Sequence, residues 1–203
     1  MRVTKGVLFI VVLVASASLA YGQEKDEPLR PDIQEMISKL PEEMRQQYER
    51  LGRADFAKLE LAPWPLELGE KTENLHRHFK EGDPVTFRLL ITNISWQKVS
   101  FSCADSYQEQ RPRLVRDGDE VAYRKHTADI LPSREYDPIG PSSRSATVEP
   151  NETITENVDL RNWYEPLKPG HYQLTVRRRF YLGGKWIESP AITFDVDPKS
   201  PNK

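Results

Sequence analysis

Pro84-Val85-Thr86-Phe87-Arg88-Leu89-Leu90-Ile91-Thr92-Asn93 is the stretch on which the fold of this chain turns. Val85, Phe87, Leu89 and Ile91 fall on one side of an extended backbone, and Thr86, Arg88 and Thr92 on the other. Strict alternation of this kind is the pattern of a strand with one dry face and one wet face. Val99, Phe101 and Cys103 read as a second strand after a connection at Asn93–Gln97. Beyond it, Leu114-Val115 and Val121-Ala122-Tyr123 flank Asp117-Gly118, which can supply the positive backbone angles of a hairpin turn. Ala146-Thr147-Val148 and Thr153–Leu160 are further short extended segments.

The last third continues the pattern. Pro169-Gly170 opens a strand in which Tyr172, Leu174 and Val176 alternate with Gln173, Thr175 and Arg177, running on to Phe180 and Leu182. Gly183-Gly184 turns the chain, and Trp186, Ile192, Phe194 and Val196 return it as a long hairpin. Pro190 removes a ladder donor, so the returning strand is expected at an edge or bulged there. Arg177-Arg178-Arg179 lies on this hairpin and reads as a solvated run facing acids such as Glu188. Short strands separated by turn signals over Lys58–Asp197 predict a mainly β fold, an antiparallel sandwich.

Before this region the apolar spacing is helical. Ile33, Ile37, Leu40, Met44, Tyr48 and Leu51 recur every three or four residues, interrupted by Pro41. Two short helices are expected, near Asp32–Lys39 and Pro41–Leu51, the second stopped by Gly52. This arm, within residues 21–57, either docks a partner or lays Met44, Tyr48 and Leu51 against the sandwich, and the second reading is preferred. Residues 1–20 carry Arg2 and Lys5, an apolar run from Gly6 to Val14, and small residues ending in Ser18 and Ala20 at the −3 and −1 sites of a signal peptidase. The core from Val7 to Val14 is too short to span about 30 Å of hydrocarbon. A flexible leader follows, and residues 198–203 are expected to be a disordered tail.

Composition narrows the function classes. The chain has 203 residues with a net charge of −2, and loss of Arg2 and Lys5 with the signal segment would make it −4, which gives nonspecific nucleic-acid binding no electrostatic basis. One cysteine, Cys103, excludes an intramolecular disulfide and reads as a buried, inert thiol. A single long apolar run excludes a polytopic membrane protein.

Pro84–Ser95 with its Thr92-Asn93-Ile94-Ser95 ending, the Asp117-Gly118 hairpin and Leu167-Lys168-Pro169-Gly170-His171-Tyr172 together resemble an immunoglobulin-like β-sandwich of bacterial exported proteins. The Thr-Asn-x-Ser and Pro-Gly-x-Tyr phrases are also similar to the intracellular proteinase inhibitor type of Ig-like domain. The resemblance implies a non-catalytic domain that presents loops. The paired cysteines of antibody-type domains are missing, and no inhibitor loop maps residue by residue onto this chain.

Candidate chemistry is sparse. His76 and His78 form a His-x-His pair, with Glu73, Glu81 and Asp83 near in sequence and His126 and His171 distant, which is short of a metal site. No Gly-x-Ser-x-Gly elbow is present, and Asp105, Glu109, Asp117, Asp119 and Glu120 are the acids that could pair for acid–base work. Trp64, Trp96, Trp163, Tyr164, Tyr107 and Tyr136 could form a stacking platform, although Trp163-Tyr164 reads better as a plug at one end of the sandwich. Asn93-Ile94-Ser95 and Asn151-Glu152-Thr153 match the glycosylation acceptor.

The proline-rich segment Tyr123–Ser145 is expected to be a long surface excursion, the place where binding resides on a rigid sandwich. The sequence therefore predicts an exported module, secreted or periplasmic, without enzyme activity, cofactor or metal, that binds another protein or serves as a structural accessory in the cell envelope. Its contact residues are expected to be Trp96, Tyr107, Arg111, Arg134 and Tyr136, on that excursion together with the Trp96 loop and Asp105–Arg113. A peptidase inhibitor and a carbohydrate-binding module are the alternatives.

Overall fold

The computed structural model describes residues 31–64, 77–103, 105–134, 144–181 and 184–199. The signal segment, the leader before residue 31, His76, Tyr136, Leu182, Gly183 and the tail from residue 200 lie outside them. In chain order the elements are α1 (Pro31–Ser38), α2 (Glu42–Arg53), β1 (Ala57–Pro63), β2 (Arg77–Lys80), β3 (Thr86–Asn93), β4 (Val99–Cys103), α3 (Ser106–Glu109), β5 (Gln110–Arg116) and β6 (Asp119–Glu120). There follow α4 (Lys125–Arg134), β7 (Arg144–Val148), β8 (Thr153–Asp159), a 3-10 turn (Leu160–Asn162), β9 (Gly170–Arg178), β10 (Ile187–Glu188) and β11 (Ile192–Asp197).

The alternation read in Val85–Ile91 is realised in β3, whose Phe87, Leu89 and Ile91 are buried while Arg88, Leu90 and Thr92 remain partly exposed. β3 is the centre of a three-stranded sheet, β1-β3-β8, antiparallel on both sides. The second sheet runs β2-β11-β9-β5-β6, with β10 also paired to β9. Inward rings of the two sheets meet: Phe87 lies 5.2 Å from Phe194 and 6.2 Å from Phe79, and Tyr172 stacks on Phe194 at 5.1 Å. The molecule is therefore a mainly β, Ig-like sandwich of antiparallel sheets. One pair departs from that rule, since β2 joins β11 in parallel.

Asp117 (φ 50°) and Gly118 (φ 96°) form the two-residue turn between Arg116 and Asp119, both in the left-handed geometry such hairpins need. β4 does not return along β3 but pairs with β7. The terminal hairpin is bulged where Pro190 lies. Glu188 faces Arg177 and Ile192 faces Leu174, so the returning strand spends one more residue than β9 between those pairs. Ser189 repairs the ladder: its N–H donates to Val176 O at 2.9 Å and its hydroxyl accepts from Val176 N–H at 3.0 Å. β9 itself ends at Arg178, short of Phe180.

Two expectations are corrected, and one holds except at Met44. Gly52 does not stop α2; the helix runs to Arg53, and Ala54 takes the left-handed cap (φ 53°), its N–H bonding Arg50 O at 3.2 Å. Gly52 serves a close approach instead, since a Cβ there would sit 3.0 Å from the Tyr181 hydroxyl. The arm does pack on the sandwich through Leu51, buried, and Tyr48, edge-on to Tyr181 at 5.6 Å, whereas Met44 stays 45% exposed. Finally, the excursion after Tyr123 is not all loop. Its first part is α4, tied down by buried Thr127, whose hydroxyl donates to Asn162 O at 2.7 Å. Pro132 is tolerated because it falls in the last turn, where only one ladder bond is forfeited.

Candidate functional site

Asn93 ends β3 and organises the loop that follows it. The side chain is 1% exposed, and its amide donates to Gln97 O at 2.8 Å and to Val148 O at 2.9 Å. Its carbonyl oxygen accepts from Ser95 N–H at 3.0 Å and from the Ser95 hydroxyl at 2.7 Å. Ile94 N–H adds a bond to Phe56 O at 2.7 Å. The loop so pinned holds Trp96 83% exposed and Ile94 56% exposed, the two most exposed large apolar side chains among the described residues. Both amide hydrogens of Asn93 are consumed, so the first glycosylation motif is a turn motif in the folded protein. Asn151 stands exposed at φ 62° in the turn between β7 and β8, and its N–H donates to Asn93 O at 2.7 Å.

The other expected contact residues gather elsewhere. Asp105 caps α3 by accepting from Tyr107 N–H at 2.8 Å, and Arg134 of α4 approaches the same carboxylate at 3.7 Å. Tyr107 is half-buried against Trp163 at 5.1 Å and donates to Asn162 O at 3.2 Å. Arg111, expected at a contact surface, is instead 6% exposed and donates from Nη1 to Tyr107 O and, at 2.8 Å, to Gln110 O. Tyr107, Arg111 and Arg134 are thus linked through α3, whereas Trp96 belongs to a separate loop and Tyr136 lies outside the described residues. Trp163 and Tyr164 are buried, as a plug requires, with the Tyr164 and Tyr123 hydroxyls both donating to Pro112 O at 2.7 Å. Burial pushes both phenols above their usual pKa.

Arg178 is not on a solvated run. It is 0% exposed, because it shares the inward register of Tyr172, Leu174 and Val176. Its Nη2 lies 3.0 Å from Glu109 Oε2 and 3.0 Å from Glu156 Oε1, and its Nε donates to Glu156 Oε2 at 3.1 Å. Gln110 Nε2 donates to the same Glu156 oxygen at 2.7 Å, and Cys103 Sγ sits 3.6 Å from Oε1. Burial, reinforced by the Glu156 charge, pushes the Cys103 thiol up to about 11. Among the described residues Glu109 and Glu156 close around a guanidinium in the core, while Asp117, Asp119 and Glu120 are exposed around the hairpin turn.

The fold brings His171 to His78 through Asp195: His171 Nδ1 is 2.8 Å from Asp195 Oδ1, and His78 Nε2 is 3.8 Å from Oδ2. Among the described residues no group of three His, Cys, Asp or Glu side chains could hold a metal ion. An open groove of about 280 Å³ is lined by Asp83, Arg124, Leu160, Arg161, Tyr164 and Leu167, among others. Its arginines are engaged locally, Arg161 with Asp159 at 2.6 Å and Arg124 with the Thr127 hydroxyl at 3.2 Å. No helix among the described residues is long and apolar enough to cross a membrane.

By architecture the chain is an Ig-like β-sandwich with appended helices. No protein-family model matches it, and no curated protein matches it by sequence. Among solved structures it is similar to the CARDB domain of a Pyrococcus furiosus protein determined in complex with di-metal ions, at 8% identity over 70% of this chain and 94% of that one, with a TM-score of 0.35. It is also similar to a beta-glucosidase from Listeria innocua in complex with glucose (11% identity, 70% of this chain, 16% of that one, TM-score 0.34). A Paenibacillus cycloisomaltooligosaccharide glucanotransferase complexed with cycloisomaltoheptaose gives 13% identity over 62% of this chain and 13% of that one, with a TM-score of 0.32. The chain spans only a small fraction of both enzymes.

Proposed function

We propose that this protein is an exported, non-catalytic Ig-like module that binds a protein partner through the loop Asn93–Lys98, with Trp96 as the anchor. The observation that carries the reading is an indole 83% exposed on a loop held by Asn93. Leaving a large apolar ring in water forfeits the stabilisation its burial would bring, about 1.5–3 kcal/mol for a large side chain. A loop fixed in advance loses little entropy when covered, and tryptophan is among the side chains that dominate protein interfaces. Ile94 extends the same apolar tip.

A photo-crosslinking residue placed at position 96 tests this in the native host, with a second placed at exposed Glu165 as control. A single adduct specific to position 96, competed by the unmodified protein, is the expected result. Equal labelling at both positions would remove the loop from the binding surface. Amino-terminal sequencing of the protein recovered outside the cytoplasm checks export, with cleavage after Ala20 expected. Titration of soluble oligosaccharides and a panel of peptidases separates the carbohydrate-binding and inhibitor alternatives.

A further inference from the structure

We propose that the outer face of the β1-β3-β8 sheet carries a site for an acidic polysaccharide, a chain of uronate sugars, centred on Trp64 and Arg88. Phe87, Leu89 and Ile91 fix the inward side of β3, so Arg88 lies on the outer side, directly between Ala62 of β1 and Asn157 of β8. Trp64 follows β1 beside it, where its N–H donates to Thr86 O at 3.3 Å. The Arg88 guanidinium carbon sits 3.6 Å from the Trp64 ring centre, and the tryptophan stays 48% exposed.

The charge of this face calls for an anion. Arg88 is half-buried, its Nε is buried without an acceptor, and no acid among the described residues pairs with it; its contact is the indole. Its cross-strand diagonals do hold two acids, Glu60 and Asp159, but each has a cation of its own, Lys58 at 3.0 Å and Arg161 at 2.6 Å. Arg88 is left as the surplus charge between them, and a planar guanidinium suits a carboxylate. The neutral groups around it call for a sugar. Thr155 and Asn157 are exposed on β8, and among the described residues their side chains hold no hydrogen-bond partner, whereas further along the same face Thr92 and Thr153 satisfy each other at 2.8 Å. A hydroxyl and an amide at that spacing can meet the hydroxyls of a sugar chain, while the exposed indole offers a flat apolar surface for the C–H side of a ring. An extended peptide docks on a sheet by adding a strand at its edge. Arg88 belongs to the central strand, whose ladder is filled on both sides, which favours a polysaccharide over an acidic peptide.

The test is calorimetric titration of the purified protein with hexagalacturonate, its methyl ester and hexaglutamate, at low and high salt. Saturable binding of hexagalacturonate that weakens with salt is expected. The methyl ester keeps the rings and loses the charge, and should bind about tenfold more weakly, the worth of one charge-assisted hydrogen bond. Hexaglutamate keeps the charge and lacks the rings, and should bind more weakly than hexagalacturonate. Arg88→Gln should weaken hexagalacturonate about tenfold and leave the methyl ester unaffected. Asn157→Ala, at an exposed position, should weaken both sugars. Arg124→Gln, away from this sheet, should change neither. Absence of saturable hexagalacturonate binding at low salt overturns the site. So does hexaglutamate binding as tight as hexagalacturonate, or equal weakening by Arg88→Gln and Arg124→Gln. Since the Trp96 loop plays no part, Trp96→Ala should bind hexagalacturonate as the parent does; loss there would also count against the proposal.

Discussion

Arg178 grips Glu156 from inside the core, donating from Nη2 to Oε1 at 3.0 Å and from Nε to Oε2 at 3.1 Å. Glu109 holds the same Nη2 from the last residue of α3, and the rings of Phe180 and Phe101 lie 5.1 and 5.8 Å from the guanidinium. A charge taken out of water is tolerable here because it is met at several points. Arg178→Met should therefore cost about 3–5 kcal/mol by leaving two carboxylates facing each other, and adding Glu109→Gln and Glu156→Gln should restore part of it. Urea unfolding of the single and triple variants checks this; a loss below about 1 kcal/mol in Arg178→Met would refute it.

The loop bearing Trp96 depends on one amide. Asn93→Ala removes one of the two donors to Gln97 O, the side-chain donor to Val148 O and the acceptor of the Ser95 N–H, and should cost about 1–3 kcal/mol. Amide exchange at Ser95 and Gln97 should accelerate more than exchange in β9. Uniform acceleration would show that the loop is fixed by other means.

Cys103 should be slow to alkylate. With its thiol pushed from 9.0 to about 11, chiefly by burial, the thiolate fraction near pH 8 falls about a hundredfold relative to an ordinary thiol. The neutral thiol is the form the fold prefers. Its contribution to stability is complete below the unfolded value of 9.0 and is lost as pH rises through about 11. Rates of iodoacetamide labelling from pH 7 to pH 11 report the shift, and Glu156→Gln should speed the reaction by removing a neighbouring negative charge.

Ser189 is 4% exposed and supplies the acceptor that the bulge denies to Val176 N–H. Ser189→Ala should cost about 1–3 kcal/mol, the penalty of a buried donor left unmade. Thermal melting measures it; a melting temperature equal to the parent's would mean that water replaces the hydroxyl.

Much of this could be read in advance. The alternation of Val85–Ile91 placed β3 and its buried face, Asp117-Gly118 placed a hairpin, and Pro190 placed a bulge. The buried cluster was legible too, on a stricter use of the same rule. Arg178 follows Tyr172, Leu174 and Val176 in register, and Glu156 lies between Ile154 and Val158, so both were due to face inward. Charge argued for solvent at those positions, and pairing overrode it. Of the expected contact set, Trp96 is exposed, while Arg111 is buried beneath Trp186 because its side chain bonds backbone carbonyls on β5 and α3.

Local sequence thus determined which segments extend, which side of each is dry and where the chain turns, because steric preference and period-two patterning act between near neighbours. Tertiary structure alone decided the pairings: β4 with β7, β2 beside β11 in parallel, Glu109 and Glu156 around Arg178, and three arginines around one indole. Those contacts join residues far apart along the chain, and their energies exist only once two sheets face each other and exclude water from between them.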